Sequence, residues 1–154
     1  ETDGYAHTLA GRVYRGRNKF GQDDEPPFLS ILEPPLPLDQ VPGPDGSGSS
    51  TGSWDLLIQG WVEDDSINPT DPAHHLMADV KRRLALEQKR RMPGGHDIDP
   101  FGMGPGTSQG SGNCITKVDI GGGTVRPPDE ISDNAYFWLT LTLTIEEEPS
   151  TPYL

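Results

Sequence analysis

The segment "YFWLTLTLTIEEE", residues 136–148, admits one secondary structure. Phe137, Leu139, Leu141, Leu143 and Ile145 alternate strictly with Tyr136, Trp138, Thr140, Thr142, Thr144 and Glu146. Successive side chains of a strand point to opposite faces, so this spacing gathers the five apolar residues on one side. The pattern therefore predicts one face in a core and, on the other, a threonine ladder open to solvent or to a partner.

Shorter runs elsewhere read as further strands. They lie at 9–14 in "HTLAGRVYRG", at 28–33 in "FLSILE" before Pro34 and Pro35, at 54–63 in "WDLLIQGWVE", and at 114–120 before a glycine kink at 121–123. The 54–63 run carries Trp54, Leu56, Ile58 and Val62 on one side and Leu57, Gln59 and Trp61 on the other, which suits a central strand. Its Gly60 fits a bulge or the close approach of a neighbouring element.

One segment has helical spacing instead. Ala73, Leu76, Met77, Val80 and Leu84 form a single apolar stripe within 72–91, with Lys81, Arg82, Arg83, Glu87 and Lys89 mostly off it. Asp71 is a natural N-cap with Pro72 at the first helical position, and Lys89, Arg90 and Arg91 crowd the end where the helix dipole favours cations. Pro93, Gly94 and Gly95 end it.

The fold class that follows is α+β: a mostly antiparallel sheet of about five strands with one main amphipathic helix, 72–91, packed on one face. Residues 1–154 fit one domain. Only 32% of residues are hydrophobic, against 19 glycines and 16 prolines. Because the apolar residues are clustered, this composition reads as a small core diluted by long Gly/Pro loop arms at 34–53 and 92–112. The leucines and valine of the first arm, Leu36, Leu38 and Val41, suggest that it docks on something.

With 24 acidic and 12 basic residues the chain carries a formal charge of −12. Such a surface repels phosphates, which argues against nucleic-acid binding through a basic groove and against an anionic membrane face. No apolar run approaches the ~20 residues that span a bilayer. The lone Cys114 excludes an internal disulfide.

Each candidate for chemistry has a stronger plain reading. His74 and His75, near Asp71 and Asp79, point about 100 degrees apart on a helix and lack an HExxH pairing. His96, Asp97 and Asp99 in "GGHDIDP" are a polar loop cluster that resembles a divalent-ion loop only loosely. The glycines of "DIGGGTV" are followed by no helix and no GK[ST], and Cys114 has no basic neighbour nearer than Lys117. The acidic runs Glu63, Asp64 and Asp65, and Asp23, Asp24 and Glu25, flank turns and read as solvated surface rather than paired catalytic acids. What remains unexplained is the long arms with scattered apolar residues and the Trp and Tyr residues on both faces of strands, which are properties of an interaction protein.

Read together, "GRVYRGRNKFGQDDEPPFLSILEPP", "WDLLIQGWVEDDSINPTDPAHHLMADVKRRLA" and "AYFWLTLTLTIEEE" resemble the tail terminator (tail completion) proteins of long-tailed bacteriophages. The resemblance covers about residues 10–90 and 113–146. Its most specific piece is "LLIQGWVEDD" with "NPTDPAHHLMADVK" at fixed distance.

The resemblance implies a structural virion protein, assembled in the host cytoplasm, that forms a homo-hexameric ring on the last ring of the tail tube. Such a ring stops tube polymerisation and faces the head-side neck or connector protein, with no catalysis and no cofactor. Six copies at −12 each, −72 in all, give an acidic lumen through which DNA slides without specific binding. Family members open with an N-terminal helix ahead of the region matched here by "GYAHTLAGRVYRGR"; this sequence shows none.

Expected contacts with subunit, tube or connector are the basic run Arg12, Arg15, Arg17 and Lys19, the arm residues Leu36, Leu38 and Val41, Phe101 and Met103 in the second loop, and Trp138. The arginines have an alternative use as surface partners of Asp23 and Asp24. The competing functions are another neck or tail-tube component, a stand-alone acidic binding module, or a small hydrolase.

Overall fold

A computed structural model describes residues 4–21, 23–33, 50–105 and 113–148. Its strands are β1 (Val13–Arg15), β2 (Phe28–Leu32), β3 (Ser50–Val62), β4 (Cys114–Arg126) and β5 (Ala135–Glu147), with one helix, α1 (Asp71–Lys89), between β3 and β4. The strands form one sheet in the order β1-β2-β3-β5-β4. β1 is parallel to β2, and β2 is antiparallel to β3 with Phe28 opposite Trp61 and Leu32 opposite Leu57. The protein is thus an α+β fold built on a mostly antiparallel five-stranded sheet with one main helix.

Contacts divide the chain into two compact units. One comprises Glu1–Glu33, Leu56–Arg83 and Ile120–Leu141; the other comprises Pro34–Asp55, Leu84–Asp119 and Thr142–Leu154. β3, α1, β4 and β5 lend residues to both.

In the first unit the core takes Leu29, Leu56, Ile58 and Val62 from the early strands, Ala73, Leu76 and Val80 from the helix, and Phe137, Leu139 and Leu141 from β5. Phe137, Leu139, Leu76 and Ala73 are fully buried, and each of the larger three contributes roughly 1.5–3 kcal/mol by leaving water. Gly60 lies on this face, opposite Leu29. A Cβ there would meet the Phe137 ring within 2.6 Å and the Leu29 side chain at 2.8 Å, so close approach, not a bulge, accounts for the glycine. In the second unit the buried apolar residues are Leu84, Cys114, Ile115, Val118 and Leu143, accompanied by the buried acids Glu87 and Asp99.

Several boundaries differ from those the sequence predicts. Where a strand is expected over 9–14, β1 starts only at Val13. The Arg12 N–H closes a turn onto the Leu9 carbonyl, and Gly11 takes a left-handed φ of 71°. Gly16, with φ of 70°, ends the strand while donating to the Ile31 carbonyl.

β3 begins at Ser50, so 50–53 belong to a strand and not to the first arm; the rest of that arm lies outside the described residues. The helix runs to Lys89 rather than 91. At its start the Thr70 carbonyl accepts the first intrahelical bond, from the His74 N–H at 3.0 Å. Thr70 therefore holds the cap position and Asp71 is the first helical residue, still favourably placed against the helix dipole.

The expected kink at 121–123 is absent, because β4 continues to Arg126. Gly121 lies beneath the Thr140 hydroxyl, and a Cβ on Gly123 would stand 2.5 Å from the Met77 sulfur and 3.4 Å from Leu139. These glycines admit neighbours instead of bending the strand. Part of the loop after α1 is also ordered: Arg91 bridges to Ile98, and Pro100–Gly102 form a single 3-10 turn.

Candidate functional site

β5 places Phe137 and Leu139 against the helix side and turns Tyr136 and Trp138 the opposite way. β2 and β3 do the same, because Phe28 and Trp61 pair on the face opposite to Leu29 and Gly60. The result is a groove of about 790 Å³ on the sheet face away from the helix side, within the first unit. It is lined by residues 18–21 and 24–26, Phe28, Gln59, Trp61, the 131–134 loop, Tyr136 and Trp138.

Aromatic rings make one wall. Phe20 stacks on Phe28 at 4.5 Å, and Phe28 stacks on Trp61 at 5.0 Å. Tyr14 packs edge-on against Phe28 at 6.3 Å. The Arg17 guanidinium lies 4.8 Å over Tyr14 and 4.7 Å over Phe20 while bonding Asp24 at 2.7 Å, which adds cation–π attraction to an ion pair. The Asp24 carboxyl is held below the usual carboxylate range first by the Gly21 N–H; burial opposes this, and Arg17 adds to the lowering.

The opposite wall is the turn before β5. Tyr136 meets Trp138 at 5.5 Å, and its hydroxyl donates to Asp129 at 2.7 Å. Asp129 also accepts from the Ile131 N–H at 2.8 Å, with Arg126 3.9 Å away. Its carboxyl is pulled down chiefly by the Tyr136 hydroxyl and next by the Ile131 N–H, whereas burial, and then Asp129 itself, push the Tyr136 phenol up. Ile131 stands on the rim with 74% of its surface exposed. The indole N–H groups of Trp61 and Trp138 and the amide of Gln59 have no hydrogen-bond partner among the described residues. Neither is an ion pair made there by Lys19 or Asp133.

The structure brings Arg17, Lys19 and Trp138 together around this groove. Arg12 and Arg15 do not line it. Arg12 reaches the Pro26 and Glu25 carbonyls at 3.4 and 3.5 Å and the Glu25 carboxylate at 3.9 Å; Arg15 bonds Glu33 at 2.8 Å. The alternative pairing of the arginines is therefore realised for Arg17 with Asp24, while the other two take Glu25 and Glu33.

Phe101 and Met103 are not among the residues that line the groove; they belong to the second unit, with 38% and 53% of their surfaces exposed. Phe101 has a positive φ of 56° inside the 3-10 turn, and its N–H donates to Glu87 at 3.0 Å. Glu87 also pairs with Arg90 at 3.3 Å, and Arg90 in turn approaches Asp99 at 3.6 Å. Leu36, Leu38 and Val41 lie outside the described residues. Sequence reasoning missed Phe20, Phe28, Gln59, Trp61 and the 131–134 loop. The available signal was the placement of Trp61 and Trp138 on strand faces opposite to the core residues.

The polar clusters serve local structure. Asp79 accepts from the Ala6 and His7 N–H groups at 3.0 Å each and lies 2.8 Å from His7 Nδ1, which straps the segment before β1 to the helix. Asp65 accepts from the Ile67 and Asn68 N–H groups, both at 2.8 Å. Its carboxyl is lowered by those two bonds, that from Asn68 first. His74, His75, His96 and Asp97 are exposed. Asp99 is buried and accepts from the Gly104 N–H at 3.2 Å. Among the described residues no group of three or more His, Cys, Asp or Glu side chains could hold a metal ion. Burial first, and Glu146 3.8 Å away next, push the Cys114 thiol up, the reverse of what a nucleophilic thiolate needs. No helix among the described residues is long and apolar enough to cross a membrane.

No protein-family model matches the chain, and no curated protein is significantly similar to it.

Proposed function

We propose that this chain is a structural virion protein that closes a homo-hexameric ring on the end of a phage tail tube. The ring ends tube polymerisation and presents the interface to the head-side neck or connector protein. The observation that carries this reading is a sheet with two unlike open margins. β1, three residues long, lies at one edge and β4, thirteen residues long, at the other, with no strand beyond either among the described residues.

Open edges expose unpaired backbone groups that pair readily with another chain. Two different edges meeting head to tail make a heterologous contact, which closes into a ring when the rotation between subunits is a whole fraction of a turn. The residues that resemble tail terminators support the same reading. So does the charge: at −12 per copy the ring favours passage of DNA over its retention. The basic run at 12–19 and the exposed Phe101 and Met103 are the contacts we assign to neighbouring subunits, tube or connector. Neither catalysis nor a cofactor is part of the function.

The test is stoichiometry by native mass spectrometry and sedimentation, on the purified chain alone and with tail tubes. A six-subunit species, free or tube-bound, is expected. A chain that stays monomeric with tubes present contradicts the reading.

A further inference from the structure

The aromatic groove of the first unit has an occupant written in the chain's own sequence. A polyproline II segment offers flat pyrrolidine rings and backbone carbonyls with no internal hydrogen-bond partners. Its receivers are grooves with aromatic walls, supplemented by N–H donors for those carbonyls. The groove supplies both: the stacked Phe20, Phe28 and Trp61 rings line it together with Trp138, and the donors without a partner among the described residues are the two indoles and Gln59.

We propose that this groove receives the proline-rich stretch 34–44, "PPLPLDQVPGP", of a second copy of this chain. The stretch contains a PxxP spacing at Pro34 and Pro37. Two residues beyond Pro37 comes Asp39, a counter-charge for Lys19, the one groove cation without an ion pair among the described residues.

Strand direction favours a second copy over the chain's own stretch. Phe28, at the start of β2, lies in the groove, whereas Leu32 pairs with Leu57 at the far end. The chain thus leaves β2 roughly 13 Å beyond Phe28 and roughly 7 Å beyond the level of Gln59, heading away from the groove. Consecutive prolines favour extended backbone in themselves and in the residue before them, a sequence preference that disfavours an immediate reversal after β2. This docking goes beyond the ring reading and holds whether or not the assembly ends a tail.

The experiment titrates the full chain with a synthetic peptide of residues 33–44, following tryptophan fluorescence and calorimetric heat. Saturable binding is expected, weakened about tenfold or more when Pro34, Pro35 and Pro37 of the peptide become Ala, and likewise by Gln59→Ala or Trp138→Ala in the chain. Lys19→Glu weakens binding of the native peptide, and an Asp39→Lys peptide restores it, a rescue that misfolding cannot imitate. Mixing a Trp138→Ala chain with a chain whose three arm prolines are Ala yields heterodimers, because each supplies the half that the other lacks. Absent or proline-independent peptide binding overturns the proposal, and so does failure of the mixed variants to associate. Failure here, with a six-subunit ring intact, leaves the ring reading standing.

Discussion

Gly60 shows how much a single position settles. The sequence offered two readings of a glycine in an apolar strand, and the Phe137 ring and Leu29 over it decide for close approach. Gly60→Ala forces these buried side chains apart and should destabilise the fold by about 1–3 kcal/mol. Gly122→Ala, where a Cβ meets nothing within 4 Å, should change stability by less than about 0.5 kcal/mol. Urea denaturation of the two variants makes the comparison.

Asp129 allows a signed pH prediction. Its folded carboxyl lies below the unfolded value of 3.8, mainly through the Tyr136 hydroxyl. It therefore adds stability that is present above 3.8 and lost as pH falls through the folded value. Tyr136→Phe removes the main cause and moves the carboxyl back up. The stability gap between wild type and variant should be present at neutral pH and narrow below pH 3.8; denaturation across a pH series measures it. The pairing of Asp129 with Tyr136 was not legible, since nothing in "PPDEISDNAY" states which acid the phenol meets.

Among elements, β5 was the most legible. Its period of two is uninterrupted, and the burial of 137, 139, 141 and 143 follows it. α1 was nearly as clear, because Ala73, Leu76, Val80 and Leu84 are all buried as the stripe requires. Leu76→Ala should cost about 2–5 kcal/mol, and Leu86→Ala, at an exposed position, close to nothing, as thermal and urea melts would show.

The glycines of β4 misled because a glycine run has the same signature whether the strand bends or a neighbour presses on it. Only the positions of Met77 and Thr140 distinguish the two. The groove was invisible for a different reason. Its walls come from 18–21, 24–28, 59–61 and 131–138, and periodicity treats each segment alone. In "EDDSINPTDPAHH" Asp65 closes the turn leaving β3, and Asp71 opens the helix as its first residue instead of capping it.

At the scale of the whole molecule, the proposed contacts lie at the sheet's margins and in the groove. Fold class was readable because it depends on pattern; the partners of an edge or groove depend on surfaces that no single chain contains. Like charge repels between copies at −12 each, so ring formation should strengthen with salt over the range in which screening grows. Sedimentation at low and moderate ionic strength checks this.

The central claim is termination, and tail length measures it most directly. Electron microscopy of tails assembled with and without this chain should show tubes of uniform length in its presence and overlong tubes in its absence. Tubes of the same length in both preparations would contradict the account.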